Sequence, residues 1–483
     1  RLRRAVYARG CCMIRETVLP TLRANGRLIA KITIPVFFEQ LSMVLTGVVN
    51  TALAASLGNT VVSAIGLADA ITATLLTMIS SLAVGGTVAV ARAYGREDRE
   101  GIDAAAGQSI LAITAIGAAV ALAAWFTRGP LIRFLYGGAE PEVLSAAVTF
   151  YGIVILSIPA WAYITVVNGV LRGVGDTRTT MKVSLIMSVA NIVLSYVFIK
   201  GLDVDLGLFR IHWESLGVRG TALGILISRL VGVAAVTVPL AAGRRSDSPR
   251  AIRLSGWRNW RPNSRVLREI FFIGVPASAE SAVFQVGKLI TQTVIVGLGT
   301  SVLAANSIAW SILGLFNLPG SAANTAATTL VGQTIGEGDK RKSRAILMTM
   351  VAVSSASYVV LSLLLLVVMK PAIGAYTSDS TVFGTVRSIL LSLMVPMTLL
   401  WPMSFISASG LRAAGDVRFT MVVAVASMWV FRVGGAFLFI RVFHTGILGL
   451  WVSTYLDWLA RTAVFGTRMS GDRWFARSGL PRS

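Results

Sequence analysis

Long apolar stretches separated by short polar segments recur along the whole chain. A helix needs about 20 apolar residues to cross the ~30 Å hydrocarbon core of a bilayer, and twelve stretches approach or exceed that length. They cover residues 32–57, 60–91, 103–127, 143–170, 182–199, 216–241, 270–298, 302–333, 345–369, 383–409, 419–440 and 446–466. The pattern predicts an all-α polytopic membrane protein with about twelve transmembrane helices.

The second half of the chain repeats the first. Pro35-Val-Phe-Phe-Glu39 returns as Pro276-Ala-Ser-Ala-Glu280, and LRGVGD at 171–176 returns as LRAAGD at 411–416. Both pairs lie about 240 residues apart, so each half holds six predicted spans. Because six is even, both halves have the same orientation in the bilayer, as in carriers whose parallel repeats enclose a cavity.

The repeat divides the chain into five predicted segments. They are a basic N-terminal segment (1–31), a first lobe (32–241), an Arg-rich connection (242–268), a second lobe (269–466) and a basic tail (467–483).

The composition supports a membrane protein and explains the high net charge. Hydrophobic residues make up 55% of the chain and charged residues 14%, and the mean hydropathy is +0.73. A soluble protein has roughly 25% charged residues. About three quarters of the 44 basic residues lie in the two terminal segments and in alternate loops. The positive-inside rule then predicts cytoplasmic termini and a prokaryotic inner (plasma) membrane location. A nucleic-acid partner is not expected, because no soluble basic domain is present.

Six segments carry a family resemblance by their order along the chain. They are VVNTALAASLG (48–58), LRGVGDTRTTM (171–181), TTLVGQTIGEGDKRKSRA (328–345), LRAAGDVRFTM (411–421), WVFR (429–432) and GLWVSTYLDWLAR (449–461). Together they resemble the multidrug and toxic compound extrusion (MATE) family, in the branch of the DNA-damage-inducible protein F. The resemblance implies a V-shaped pair of six-helix lobes. It also implies export of cationic or amphipathic compounds in exchange for protons or sodium ions.

One position departs from the family pattern. The family usually places an ion-coupling aspartate in the first helix, fifteen residues after the helix-opening proline. Here that position is Asn50, and an amide does not take up or release a proton near neutral pH. If ion coupling survives in this chain, another carboxylate has to carry it.

Charged side chains inside the predicted spans are candidates for function, because a charge in the bilayer is costly. The predicted ion-coupling candidates are Glu39, Asp69, Glu280 and Asp457. Each glutamate either couples an ion or forms a structural hydrogen bond, and Asp69 either replaces the missing carboxylate or begins a helix near the headgroups. The basic residues Arg229, Lys288 and Arg432 are expected to form ion pairs with these carboxylates.

Polar residues at helical spacing indicate which faces line a cavity. The predicted cavity or substrate residues are Met43, Thr46 and Asn50 on the first span, Ser188, Asn191 and Ser195 on the fifth, and Gln285, Lys288 and Gln292 on the seventh. The small polar residues of the fifth span are equally consistent with contacts between helices. The repeated loops, with Arg172 and Asp176 or Arg412 and Asp416, are predicted to be structural or gating elements whose charges clamp adjacent loops.

These features favour a cation-coupled secondary antiporter that exports amphipathic or cationic drugs by alternating access. A flippase for a lipid-linked or polysaccharide intermediate is the alternative, since Arg229, Lys288 and Arg432 suit an anionic substrate. Primary transport is not expected, because the sequence lacks the G-x-x-x-x-G-K-[ST] motif. The predicted partners are membrane lipid and small substrates. We expect a monomer that needs no cofactor or metal and is not an enzyme.

Overall fold

The computed structural model describes residues 14–205, 210–243, 252 and 261–475. In the first half the helices are α1 Leu19–Ala55, α2 Asn59–Gly95, α3 Arg99–Tyr136, α4 Pro141–Ile155, α5 Ile158–Gly173, α6 Thr177–Lys200 and α7 Gly217–Gly243. A π-helical turn, Ile14–Val18, precedes α1. The predicted N-terminal segment, connection and tail lie partly outside the described residues.

The second half repeats this order of helices. They are α8 Ser264–Val296, α9 Thr300–Phe316, α10 Leu318–Gly336, α11 Lys340–Gly374, α12 Ser380–Leu399, α13 Trp401–Ala413, α14 Val417–Ser427, α15 Gly435–Phe437 and α16 Ile447–Ser470. The segments around α15 are π-helical, Met428–Gly434 and Leu438–Val442. A short 3-10 helix, Arg473–Phe475, follows α16. The all-helical fold with an internal repeat is confirmed.

The only strands among the described residues form one small hairpin. Strand β1, Leu202–Asp205, pairs antiparallel with β2, Arg210–Trp213. The hairpin lies between α6 and α7, in a segment that the apolar pattern predicts as a loop.

Nine described helices are long and apolar enough to cross a membrane, and two bent pairs bring the number to eleven. The pairs are α4 with α5, bent by 44°, and α9 with α10, bent by 51°. Each bend precedes a proline, Pro159 or Pro319, at the second position of the following helix. Proline lacks the amide hydrogen and clashes with the preceding turn. The twelfth predicted span is α16, which is long enough but carries buried charges.

Repeated aspartates begin helices. Asp98 accepts a hydrogen bond from the Gly101 amide at 2.8 Å, and Asp339, its counterpart in the repeat, accepts one from the Lys342 amide at 2.8 Å. Such caps satisfy an amide that has no partner inside the helix. The repeated Gly-x-x-Asp pattern therefore marks helix starts.

The chain forms two compact units whose limits differ from those of the sequence repeat. Unit 1 contains the described residues up to Phe37, Ala91–Glu97 and those from Ala279 onward. Unit 2 contains Phe38–Val90 and Asp98–Ser278. The last turn of α2 therefore belongs to the same unit as most of the second repeat.

Within unit 1, the last turns of α2 and α10 cross with their backbones in contact. A Cβ atom on Gly95 would overlap the carbonyl oxygen of Gln333, and one on Gly336 would overlap the carbonyl oxygen of Arg92. Arg92 also joins α2 to the end of α13, because its Nε and Nη2 atoms donate to the Ala413 carbonyl oxygen at 3.0 and 2.9 Å. Gly95 and Gly336 occupy equivalent positions in the repeat, so two repeated glycines allow this approach.

Candidate functional site

A cavity of about 360 Å³ lies inside unit 1. Its volume is in the range of ligand pockets in proteins. It is lined by Phe284, Lys288, Thr291, Gln292, Ile295, Asn306, Trp310, Leu313, Gly314, Asn317, Leu393, Met397, Trp401, Phe405, Arg432, Leu450, Trp451, Thr454 and Trp458. Six of these nineteen residues are Trp or Phe, so aromatic rings form a large part of the wall.

The aromatic side chains contact one another around the cavity. Trp401 stacks on Phe405 with ring centroids 4.8 Å apart, and Phe405 meets Trp458 edge-on at 6.3 Å. On another part of the wall, Trp310 lies 5.3 Å from Trp451. Such pairs restrain each other, so the rings form a rigid apolar surface for a ligand.

A charged cluster reaches the cavity through Arg432. Asp457 is fully buried and accepts from two guanidinium groups: Arg432 Nη2 lies 3.1 Å from Oδ2, and Arg461 Nε lies 2.8 Å from Oδ1. Arg432 lies in the π-helical segment after α14, and π-helical turns often occur at functional sites. Arg432 thus forms an ion pair with one of the candidate carboxylates, Asp457, which has Arg461 as a second partner.

A second cavity, of about 250 Å³, lies inside unit 2. It is lined by Met43, Thr46, Gly47, Asn50, Trp161, Met187, Ser188, Asn191, Ile225, Ser228 and Arg229. A chain of hydrogen bonds runs along one wall: Asn50 Nδ2 donates to Asn191 Oδ1 at 2.7 Å, and Asn191 Nδ2 donates to Ser228 Oγ at 3.0 Å. Asn50, which stands where the resemblance places an aspartate, therefore belongs to a hydrogen-bonded network.

Repeat-related positions line the two cavities. The pairs are Met43 with Phe284, Gly47 with Lys288, Asn50 with Thr291, and Trp161 with Trp401. The same helix face is thus used twice with different residues. A lysine in unit 1 replaces a glycine in unit 2.

Each repeat contains an ion pair between a glutamate and an arginine that are at least partly buried. Arg172 Nη1 donates to Glu39 Oε1 at 2.9 Å, and Thr180 Oγ1 donates to Oε2 at 3.0 Å. In unit 1, Arg412 Nη1 lies 3.2 Å from Glu280 Oε2. The Glu39 side chain is 5% exposed and that of Glu280 18%, so the second pair has looser geometry and more solvent contact.

These contacts correct the prediction for the Gly-Asp loops. Arg172 and Arg412 bind the glutamates of the first and seventh predicted spans and do not clamp adjacent loops. Asp176 caps α6 by accepting from the Thr179 amide at 3.2 Å. Asp416 instead accepts from Arg468 Nε at 2.7 Å. In each loop the arginine and the aspartate therefore have different partners, because the arginine lies on the preceding helix and faces inward.

Arg229 forms no direct ion pair with either carboxylate of the first-repeat spans, Glu39 or Asp69, although an ion pair with one of the carboxylates is expected from the sequence. Arg229 Nη1 donates to Ser157 Oγ at 2.6 Å, and its guanidinium carbon lies 5.0 Å from the centroid of the Trp161 ring. Asp69 is exposed and lies outside the lining of the unit 2 cavity. It forms no direct ion pair with the described residues, although its charge and that of Arg229 are close enough to attract each other. Asp69 therefore does not line the cavity that contains Asn50, although it interacts electrostatically with Arg229 on the wall of that cavity.

Two predicted cavity residues lie elsewhere. Ser195 is buried where α6 meets α7, and a Cβ on Gly224 would lie 2.6 Å from its Oγ, so it belongs to a helix contact. Gln285 does not line the unit 1 cavity, because Phe284 occupies that part of the wall. Met43, Thr46, Asn50, Ser188 and Asn191 lie on the unit 2 cavity, and Lys288 and Gln292 on the unit 1 cavity.

Sequence reasoning missed Arg461 and Arg92. Both arginines are among the basic residues that the positive-inside rule assigns to the cytoplasmic side, yet Arg461 is only 3% exposed and Arg92 only 6%. For Arg461 a signal exists, because it follows Asp457 by four residues and such pairs meet on one helix face. For Arg92 no local signal exists, because its acceptor is 321 residues away.

Comparison with known proteins points to one family. The MatE family model matches the chain twice, over residues 35–197 and 276–438, once in each repeat. The probable multidrug resistance protein NorM of Thermotoga maritima is 24% identical over 458 residues, 94% of each chain. The multidrug export protein MepA of Staphylococcus saprophyticus is 24% identical over 394 residues, 81% of this chain and 82% of MepA.

Solved structures share the fold. An outward-facing multidrug resistance MATE family transporter of the MOP superfamily gives a TM-score of 0.80 at 22% identity, over 92% of this chain and 95% of the other. A MATE crystallised in the bent conformation gives 0.82 at 21% identity, over 94% and 97%. A MOP superfamily transporter from Pyrococcus furiosus, described as having a binding pocket of reverse polarity, gives 0.80 at 21% identity, over 92% and 95%.

Proposed function

This chain belongs to the MatE family, and on that premise we propose that it is an ion-coupled secondary exporter of amphipathic compounds that works by alternating access. It is an integral membrane protein, and its relatives include multidrug resistance and multidrug export proteins. Proton or sodium coupling, antiport, cytoplasmic termini and a monomeric state belong to the proposal.

One observation carries the proposal, namely the aromatic cavity inside unit 1. It lies among helices that cross the membrane, and its wall combines large apolar rings with two charged side chains, Lys288 and Arg432. An amphipathic molecule presents both kinds of surface, so this wall matches its chemistry. The unit 2 cavity is smaller and has one aromatic side chain, Trp161, in its lining, so it offers less surface to a large aromatic compound.

The coupling carboxylate we propose is Glu280. Glu39 has two donor residues, at 2.9 and 3.0 Å, and is nearly closed to solvent. Among the described residues, Glu280 has Arg412 alone as its donor residue, with Nη1 at the longer distances of 3.3 and 3.2 Å from the two carboxylate oxygens, and it is more exposed. Protonation or sodium binding at Glu280 competes with Arg412 for the carboxylate, because both neutralise the same charge. Release of Arg412 would loosen the end of α13, which is where Arg412 lies. Asp69, Glu39 and Asp457 remain alternative coupling sites.

A flippase for an anionic lipid-linked intermediate is the second candidate. It is favoured by the basic residue in each cavity lining, Arg229 in unit 2 and Lys288 with Arg432 in unit 1. Such an intermediate carries phosphate groups, which arginine and lysine bind through charge-assisted hydrogen bonds.

The proposed function is tested by efflux from proteoliposomes. The purified chain is reconstituted, loaded with aromatic dyes of either charge, and exposed to a proton or a sodium gradient. We expect gradient-driven efflux of at least one dye, and at least a tenfold lower rate for Glu280→Gln, because glutamine neither titrates nor binds sodium as a carboxylate does. Glu337→Gln, which removes a carboxylate of an exposed pair with Lys342, is the matched control and should keep the wild-type rate.

Two results would contradict this account in different ways. No gradient-driven efflux of any dye would contradict an ion-coupled exporter. Efflux that is equal for Glu280→Gln and the wild type would remove Glu280 from the coupling mechanism.

A further inference from the structure

We infer that the cavity of unit 1 binds organic anions, namely aromatic compounds with a carboxylate, sulfonate or phosphate group. This inference rests on the proposed export function, whose substrate class it specifies. It differs from the expectation of cationic substrates that follows from the family resemblance.

The net charge at the cavity wall is positive. Both charged residues in its lining, Lys288 and Arg432, are basic, and no carboxylate lines it in the part of the chain that the structure describes. The carboxylate of Asp457 lies behind Arg432 and is shared with Arg461. Two guanidinium groups and one carboxylate leave one positive charge, and Lys288 adds a second.

The basic side chains Lys288 and Arg432 lack a full set of ion-pair and hydrogen-bond partners. Lys288 forms no ion pair with the described residues; its Nζ lies 5.9 Å from the centroid of the Trp310 ring, within cation–π distance. Arg432 is 8% exposed, yet its Nε is buried without a hydrogen-bond acceptor. An anion supplies the missing counter-charge and an acceptor.

Two indole groups of the cavity wall also have unmatched hydrogen-bond donors. Trp451 and Trp458 are 2% and 5% exposed, and the Nε1 atom of each is buried without a hydrogen-bond partner. Indole nitrogen can only donate. Together with Arg432 Nε, the cavity lining therefore has three buried donors without an acceptor. Buried donors are normally hydrogen-bonded, so this lining favours a ligand with several acceptor oxygens, such as an organic anion. The one unmatched acceptor there is Asn306 Oδ1.

The aromatic part of the ligand follows from the rest of the wall. The stacked Trp401 and Phe405 and the nearby Trp310 offer apolar faces to a planar ring. A ligand with one or two fused rings and a single anionic group therefore matches both the donors and the rings. A cationic ligand of the same shape would lie against two positive charges and leave every donor unmatched.

The test uses a pair of probes that differ in charge and share the same ring. Binding of naphthalene-2-sulfonate and of 2-naphthylmethylammonium to the purified full chain in neutral detergent is measured by equilibrium dialysis. We expect the sulfonate to bind at least tenfold more tightly. Lys288→Gln should weaken sulfonate binding about tenfold and leave ammonium binding equal or stronger. Because Lys288 is exposed and has no ion pair, this variant should fold like the wild type.

The controls separate the possible outcomes. Lys370→Gln, an exposed lysine at the end of α11 outside the cavity, should bind both probes as the wild type does. Tighter binding of the ammonium probe, or sulfonate binding that is unaffected by Lys288→Gln, would overturn the inference. Displacement of the sulfonate by dodecyl phosphate would indicate that the natural ligand is a lipid anion. Lack of displacement would indicate a soluble anion, and both results support an anion site.

Binding and transport fail independently in this design. Charge-selective binding without gradient-driven efflux would contradict the exporter and leave the anion site standing. Gradient-driven efflux of the ammonium probe that does not depend on Lys288 would contradict the anion site and leave the exporter standing.

Discussion

Replacing Asp457 by asparagine is expected to destabilise the protein by about 3–5 kcal/mol, the usual cost of removing one partner from a buried ion pair. Asp457 is fully buried and is the carboxylate that both Arg432 and Arg461 contact. In the variant, two buried guanidinium groups would lie near each other without that counter-charge. Both guanidinium groups are buried in the protein, so dissolved salt screens their repulsion weakly.

The measurement is thermal unfolding of the purified protein in detergent. Asp472→Asn is the matched control, because it makes the same chemical change in a surface pair: Asp472 is 63% exposed and lies 2.8 Å from Arg344. Surface pairs contribute about 0–1 kcal/mol, so we expect a small shift. Equal shifts for the two variants would show that the Asp457 cluster does not stabilise unit 1.

Replacing Gly95 by alanine is expected to disrupt the crossing of α2 and α10. The added Cβ would overlap the Gln333 carbonyl oxygen, a backbone atom that cannot move without moving its helix. Overpacking typically costs about 1–3 kcal/mol, and a backbone–backbone overlap belongs at the upper end of that range. We expect the free energy of unfolding to fall by about 3 kcal/mol and the efflux rate to fall with it. Gly336→Ala should behave alike.

A helical glycine with free space around it provides the control. Gly384 lies in α12, is exposed, and has no atom within 4 Å of an added Cβ. Alanine has a higher helix propensity than glycine by about 1 kcal/mol, so Gly384→Ala should leave the protein equally or slightly more stable. If Gly95→Ala is as stable as Gly384→Ala, the described close approach is wrong.

The helices and the repeat could be predicted because their signals are local. An apolar stretch of the right length specifies a span by itself, and Glu39 and Glu280 recur with the same neighbours. The predicted stripe Met43, Thr46 and Asn50 lines the unit 2 cavity, since helical spacing alone decides which residues share a face. The bends before Pro159 and Pro319 were equally accessible to local reasoning.

The partners of the charged residues could not be predicted in the same way. Arg172 binds Glu39 across 133 residues of sequence, and no local pattern specifies such a contact. A weaker signal exists in the repeat, because both the glutamate and the arginine recur at nearly the same offset, at Glu280 and Arg412. A pair that recurs together in both halves is a candidate for contact.

The charge of the cavity is the point where sequence and structure differ most for function. The sequence predicts Glu280 and Asp457 as candidate ion-coupling carboxylates, whereas in the structure arginines already pair with both. The basic side chains Lys288 and Arg432 then determine the charge at the cavity wall. Counting charges along a span is therefore insufficient, because the sign a ligand meets depends on which charges are already paired.

Protection of a cavity residue from alkylation tests the central claim most directly. In a chain with Cys11→Ser and Cys12→Ser, Gln292→Cys places a thiol on the lining of the unit 1 cavity, and Ser378→Cys places one on an exposed loop outside it. We predict that naphthalene-2-sulfonate slows maleimide labelling of Gln292→Cys at least fivefold and leaves Ser378→Cys unaffected, while 2-naphthylmethylammonium protects neither. Unchanged labelling of Gln292→Cys at saturating sulfonate, or protection by the ammonium probe alone, would contradict the account.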